Sequence, residues 1–537
     1  MVDEAEIIVV GSGCSGAMAA QTLVESGAKV ILLDVGTKNE IYTDNIPKQD
    51  FDSTMESNEN YSDYFIGKDF ESLNFNGEKS GAQLTPPRKH IVKHTGEFLK
   101  YISDSFSAVE SLAYGGLGAG WGLGCCVYSD EEMELCKLNK NRMHQAYNII
   151  SSRIGISAEN HDNATPYTIG MVSPHLPPLK LDESNYLLKR FKKKSALWNK
   201  KELFLGRPAL ALLSEDFQDR KACAYDDMHF YHDSGGSAYR PGLTIDKLIR
   251  KNNFIYISNQ LVLKFLEVED SVFIETLDIQ TKERKQFKAK KLVLAAGALS
   301  TARIVLRSLN YKDKISFLCN PYTYYPCLNP FMAGKKIMKH KTGMAQLSIF
   351  HDEGLKKDNI AMASIYSYRS LFLFRLMNDI PLNYKDGKEL LRFLLSGMVI
   401  MGIHHPDHYD RNRFLERVSD SDSVTEDAIK IEFSLSHEKK EQLKTREKKF
   451  TSLMRSLGAW PLKRVDPGMG ASIHYAGTLP YSAEEKPLTL DANGKLHHTK
   501  NIYVADSSGF CFLPAKGLTF SLMANAHNVA NHVLNKK

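Results

Sequence analysis

Glu6-Ile-Ile-Val-Val10, Gly11-Ser-Gly13-Cys-Ser-Gly16, Ala17 to Ser26 and Lys29-Val-Ile-Leu-Leu-Asp34 follow one another without interruption. An apolar run, a glycine turn, a helical stretch and a second apolar run ending in an acid make one strand–turn–helix–strand unit. Gly11 permits the turn, Gly13 lets a pyrophosphate approach the N–H groups at the helix start, and Gly16 lets helix and strand pack closely. Asp34 stands 23 positions after Gly11, where its carboxylate can accept hydrogen bonds from ribose hydroxyls. Three glycines alone would say little; within this unit they predict a dinucleotide-binding fold.

Three later segments extend that reading. Leu292-Val-Leu-Ala-Ala296-Gly297-Ala-Leu-Ser-Thr301 is a buried strand running into a small-residue turn and a helix, which lets backbone lie against an extended cofactor. Asn501-Ile-Tyr-Val-Ala-Asp506 delivers a carboxylate at a strand end, the place where open α/β sheets bind ligands. Lys516-Gly-Leu518-Thr519-Phe-Ser-Leu522 opens a helix predicted to run to the C-terminus, and its free N–H groups suit developing negative charge. Between them, Phe254 to Leu294 alternates as short strands, and Val262 within it is included among the cofactor contacts.

With these motifs in their order, the chain resembles the glucose-methanol-choline (GMC) oxidoreductases, FAD enzymes, and within them the sugar-oxidising branch. The resemblance covers the N-terminal unit, the loop Gly115-Gly116-Leu-Gly-Ala-Gly120-Trp121, Leu292 to Ser308 and nearly everything after Ser472; the intervening substrate region matches loosely. Ile473-His474-Tyr-Ala-Gly477-Thr478 and the ending Val504 to Met523 are its most specific parts. It implies that His474 sits beside flavin N5 as the catalytic base. It also implies that Gly115, Gly116, Gly120 and Trp121 face the flavin, and that FAD is held without a covalent bond because Gly120 offers no attachment atom. Where the family usually carries asparagine or histidine, this chain has Gly517. Lys516, its neighbour, is the expected compensating group.

Together these give an α/β and α+β chain: a Rossmann-like FAD-binding domain over 1–40, 85–170, 235–310 and 461–537, interleaved with a substrate domain containing an antiparallel sheet over 41–84, 171–234 and 311–460. Its 537 residues are too many for one compact core, and 43% hydrophobic with 25% charged residues is ordinary globular composition. The expected reaction is oxidation of an alcohol, sugar-like or polyol-like, by hydride transfer to flavin N5. A flavin-dependent isomerase or desaturase, and a flavin-binding partner protein with a disabled site, stay open as alternatives, as does the electron acceptor.

A net charge of +6 without basic, aromatic-interleaved repeats predicts no nucleic-acid partner. The eight cysteines lack zinc spacing and read as free thiols. His404-His405-Pro-Asp407-His408 has no further ligand at metal spacing and reads as a strand end of the substrate domain; no metal is expected. The acidic start of the chain leaves no room for a signal peptide, which predicts a cytoplasmic protein without a membrane-spanning helix. The basic run Lys189 to Lys194 reads as a solvated helix face, and the apolar stretch Ser370 to Ile380 as substrate-domain core, with a membrane or subunit contact as the lesser alternative.

Overall fold

The structure, a computed structural model, describes residues 4–38, 47, 49–51, 53–54, 64–65, 67, 85–233, 235–338, 340–367 and 381–535. Most of the polar stretch 40–81, and the apolar segment expected to be core at 370–380, lie outside these residues. The chain is a mixed α/β structure with several sheets.

The opening unit folds as its sequence dictates. Strand Glu4–Val10 runs through the glycine turn into helix Cys14–Glu25 and back into strand Val30–Leu33. Val30 to Leu33 is buried throughout, as expected for a parallel strand covered on both faces. Five strands lie parallel in the order Phe254–Ile257, Val30–Leu33, Glu4–Val10, Arg284–Leu294, Ile502–Val504. Strand Arg284–Leu294 has two jobs along its length. Its first half pairs antiparallel with Ser271–Asp278, which pairs with Gln260–Val268, while its second half sits inside the parallel sheet. Helices Cys14–Glu25 and Thr519–Asn535 pack against each other. The apolar side chains between them are almost wholly buried, each such Val, Leu or Ile contributing roughly 1.5–3 kcal/mol.

A second, antiparallel sheet runs in the order Trp460–Pro461, Tyr322–Leu328, Met398–His404, Ile360–Ser367, Leu347–Asp352, Leu203–Gly206. Side chains alternate between its faces. Tyr325, Cys327, Met401, Ile403, Ala363 and Ile365 point to one side and pack on Phe450, Leu453 and Met454 of helix His437–Ser456. The residues between them, Tyr322, Tyr324, His404, Ile400, Met362, Ser364 and Tyr366, point the other way and line a cavity. A smaller sheet joins Tyr101–Ile102, Asp427–Phe433, Arg413–Ser419 and Ile315–Ser316. All eight cysteines are free thiols. Among the described residues no helix is long and apolar enough to cross a membrane.

Candidate functional site

A cavity of about 900 Å³ lies between the carboxyl ends of the parallel strands and the open face of the antiparallel sheet. It is at the upper end of the range for small-molecule and cofactor sites. Gly11, Gly13, Asp34, Gly116, Gly120, Trp121, Val262, Ala296, Gly297, Asp506, Leu518 and Thr519 all line it, as does His474. Gly16 and Gly115 stand behind the lining. A β-carbon on Gly16 would lie 1.8 Å from the Gly11 carbonyl oxygen, so helix and turn could not close on any other residue. Gly115 has a φ of +89° and donates its N–H to Ser12 Oγ at 2.8 Å, which ties its loop to the glycine turn.

Gly13 is different in kind. A β-carbon there would meet no protein atom nearer than 4.0 Å. Packing does not demand glycine at this position; the room is kept for something that is not protein. Gly13 caps helix Cys14–Glu25 without any side-chain hydrogen bond, so the first N–H groups of that helix are available to phosphate. Asp34 beside it accepts from Ser12 Oγ, and from Tyr256 OH at 3.0 Å; burial pushes its carboxyl up to about 6 against those bonds. Asp506 accepts from Gly297 N at 3.0 Å, Thr301 Oγ1 at 2.5 Å, and Ser508 N and Oγ at 2.9 and 2.5 Å. With its lone pairs so occupied it braces the turn at Gly297. A glycine cradle, a helix start and a carboxylate near a long cavity fit an extended dinucleotide such as FAD.

At the far end, Tyr475–Ala476 pairs antiparallel with Leu318–Cys319, and continuing that register sets His474 opposite Asn320. His474 Nδ1 lies 3.0 Å from Asn320 Oδ1. The Asn320 amide can take only one orientation, because its NH₂ donates to the carbonyls of His405 at 2.8 Å, Leu513 at 3.2 Å and Pro514 at 3.3 Å. Its oxygen must therefore accept, so His474 carries its proton on Nδ1 and presents Nε2 as a bare acceptor. Burial pushes the His474 pKa down to about 4. Preceding it, Ile473 has a φ of +58°, a costly conformation for a β-branched residue and one that tends to mark functional positions. Neighbouring bonds hold the segment rigidly: Ser507 Oγ donates to Tyr475 O at 2.7 Å and Thr478 Oγ1 to Ala298 O at 2.9 Å.

His404, read from sequence as a strand end, does end strand Met398–His404. It also faces the cavity beside His474, with ring centroids 5.1 Å apart and planes within 25°. Lys516 requires a correction. Its ammonium does not reach the cavity but forms a buried 2.6 Å ion pair with Glu132, whose carboxylate also accepts from Ser129 N in the capping box of a separate helix, Asp130–Leu135. A lysine just before a glycine turn looked available; the tertiary contact with a carboxylate almost 400 positions away claims it. Gly517 lines the cavity, and a β-carbon there would meet nothing nearer than 3.9 Å. Asn320, His404 and the tyrosines Tyr322, Tyr324 and Tyr366 were missed as site residues, though period-two alternation along 398–404 pointed His404 to the face opposite Ile403.

Residues 405–526 match the family model described as GMC oxidoreductase, a segment that contains His474, Asp506 and the start of the last helix. No curated protein matches the chain by sequence. Among solved structures, pyridoxine 4-oxidase from Mesorbium loti has a TM-score of 0.60 over 99% of this chain and 100% of that one, at 12% identity, a likeness of fold.

Proposed function

We propose that this chain, which carries a GMC oxidoreductase segment and is an FAD-dependent oxidoreductase acting on CH–OH groups, oxidises a sugar or polyol-like alcohol with His474 as the base. The observation that carries the reading is the bare Nε2 of His474, locked into its tautomer by Asn320 and facing the cavity.

FAD, when bound, supplies the hydride acceptor. Gly11, Gly13 and the start of helix Cys14–Glu25 would hold its phosphates, Asp34 its ribose, and Val262, Ala296 and Gly297 its adenine half, making the parallel sheet the FAD-binding domain. The loop at Gly116, Gly120 and Trp121 and the helix start at Leu518 and Thr519 would hold the isoalloxazine end, the latter placing N–H groups where negative charge develops. His474 Nε2 takes the hydroxyl proton as the C–H bond breaks. Its depressed pKa keeps it neutral and ready at ordinary pH.

The sheet face suits a hydroxyl-rich ring. Tyr322, Tyr324 and Tyr366 offer flat faces for stacking, and Ser348, Ser364 and Ser367 line the same cavity with hydroxyls. Lys341 and Asp227 line the cavity as well. Anaerobic mixing with a panel of pyranoses, polyols and aromatic alcohols tests the reading by bleaching of the flavin absorbance. Sugars or polyols are expected to bleach it fastest; faster bleaching by aromatic alcohols would overturn the substrate class, and no bleaching by any alcohol would overturn the reaction.

A further inference from the structure

We infer that His404 is a second residue touching the substrate, donating a ring N–H to the alcohol oxygen while His474 removes its proton. The inference rests on the proposed function and adds to it a residue from the other half of the molecule.

His404 ends strand Met398–His404 on the cavity face, directly across from Tyr322 on one neighbouring strand and Met362 on the other. Its ring lies between two others, 4.5 Å from Tyr322 and 5.1 Å from His474 by centroid. These contacts fix where the ring points. Among the described residues neither ring nitrogen has a hydrogen-bond partner, whereas the ring nitrogen of His474 on the Asn320 side is taken. An imidazole held so firmly and left without polar partners is matched to a ligand in the cavity it faces.

The chemistry of that ligand follows from charge. Two stacked imidazoles this close cannot both carry a proton cheaply, and burial with the nearby His474 and His405 keeps the pKa of His404 well below the usual histidine range. When His474 becomes the cation, His404 stays neutral, with one N–H to give and one lone pair. The oxygen that has just lost its proton gains negative charge, and an N–H aimed at it stabilises that charge more than it stabilised the neutral alcohol. The proton passes from oxygen to His474 Nε2, a bound flavin would take the hydride from carbon, and His404 transfers nothing. Gly517, which also lines the cavity, has no side chain to do this.

The test uses the FAD-loaded protein and an alcohol that bleaches the parent, with His404→Ala and His404→Gln. Retained flavin absorbance and full reduction by dithionite establish that each variant is folded. His404→Ala is expected to slow the limiting rate of substrate-driven reduction on the order of 10² to 10³-fold, the range for removing one donor to a developing oxyanion. His404→Gln, which keeps an N–H, is expected to recover to within about tenfold of the parent, and binding of a carbonyl product analogue, followed by its perturbation of the flavin spectrum, should weaken in Ala and return in Gln. The acid limb of the rate should stay in place in both, because His474 remains the base. An unaffected His404→Ala, or a His404→Gln as slow as Ala, overturns this inference alone; a parent that no alcohol bleaches overturns the proposed function and this inference with it.

Discussion

The two ends of the cavity are built on different principles. The end proposed for the dinucleotide is made of backbone: Gly11, Gly13, Gly116, Gly297 and Gly517 contribute no side chains, and what matters is which N–H groups are exposed and how close a neighbour can come. The end proposed for the substrate is made of side chains, and its central trio, Asn320, His404 and His474, comes from three strand ends spread over more than 150 positions. A backbone cradle leaves room for a ligand only while side chains stay out of it, and it is indifferent to protonation. A side-chain site depends on tautomer and pKa, so single polar atoms decide its activity.

The largest effect should come from the side-chain end. His474→Ala is expected to keep FAD and the fold, leave dithionite reduction unchanged, and slow reduction by the alcohol on the order of 10² to 10⁴-fold in stopped flow, the usual range for a removed general base. A His474→Ala protein reduced at the parent rate would dissolve the contrast between the two ends.

Next in size is a change that touches neither end. Lys516→Met leaves the Glu132 carboxylate buried without its partner, which should lower unfolding stability by about 3–5 kcal/mol in chemical denaturation. The folded fraction should reduce its flavin at close to the parent rate. A collapse in rate at unchanged stability would return Lys516 to the chemistry.

Asn320→Ala sharpens the comparison further, since it removes no group that meets the substrate. Freed of Oδ1, His474 populates both tautomers, only one of which accepts at Nε2, and its ring loses one orienting contact. A loss of roughly 10 to 100-fold in reduction rate is expected, as for other orienting partners of functional histidines, with FAD affinity unchanged by titration. Weakened FAD binding would mean that Asn320 serves the cofactor end.

The smallest effect is in pH. The base must be neutral to accept a proton, and burial holds the His474 pKa to about 4. Reduction should therefore vary little above pH 5 or 6 and fall by half near pH 4 as the ring protonates, measured in stopped flow with FAD occupancy checked at each pH. A limb at an ordinary histidine pKa near 6.5 would mean that burial does not depress the His474 pKa.

The amino-acid sequence alone determined the strand–turn–helix–strand unit through Asp34, the glycine loop at Gly115 to Gly120, the strand and turn at Leu292 to Gly297 and the helix after Gly517, while His474 stood out only through the family resemblance. These are local: a φ of +95° at Gly11 or a β-carbon forbidden at Gly16 is settled within a few residues, and the chain records it as glycine. Only the tertiary structure decided that Asn320 orients His474, that His404 stacks on it, that three tyrosines floor the cavity, and that Lys516 turns away to Glu132. Those outcomes depend on which strands pair and in what register, and a shift of one residue in the strand at 398–404 would carry His404 from the cavity to the core. Residue type states what a side chain can do; register decides what it meets.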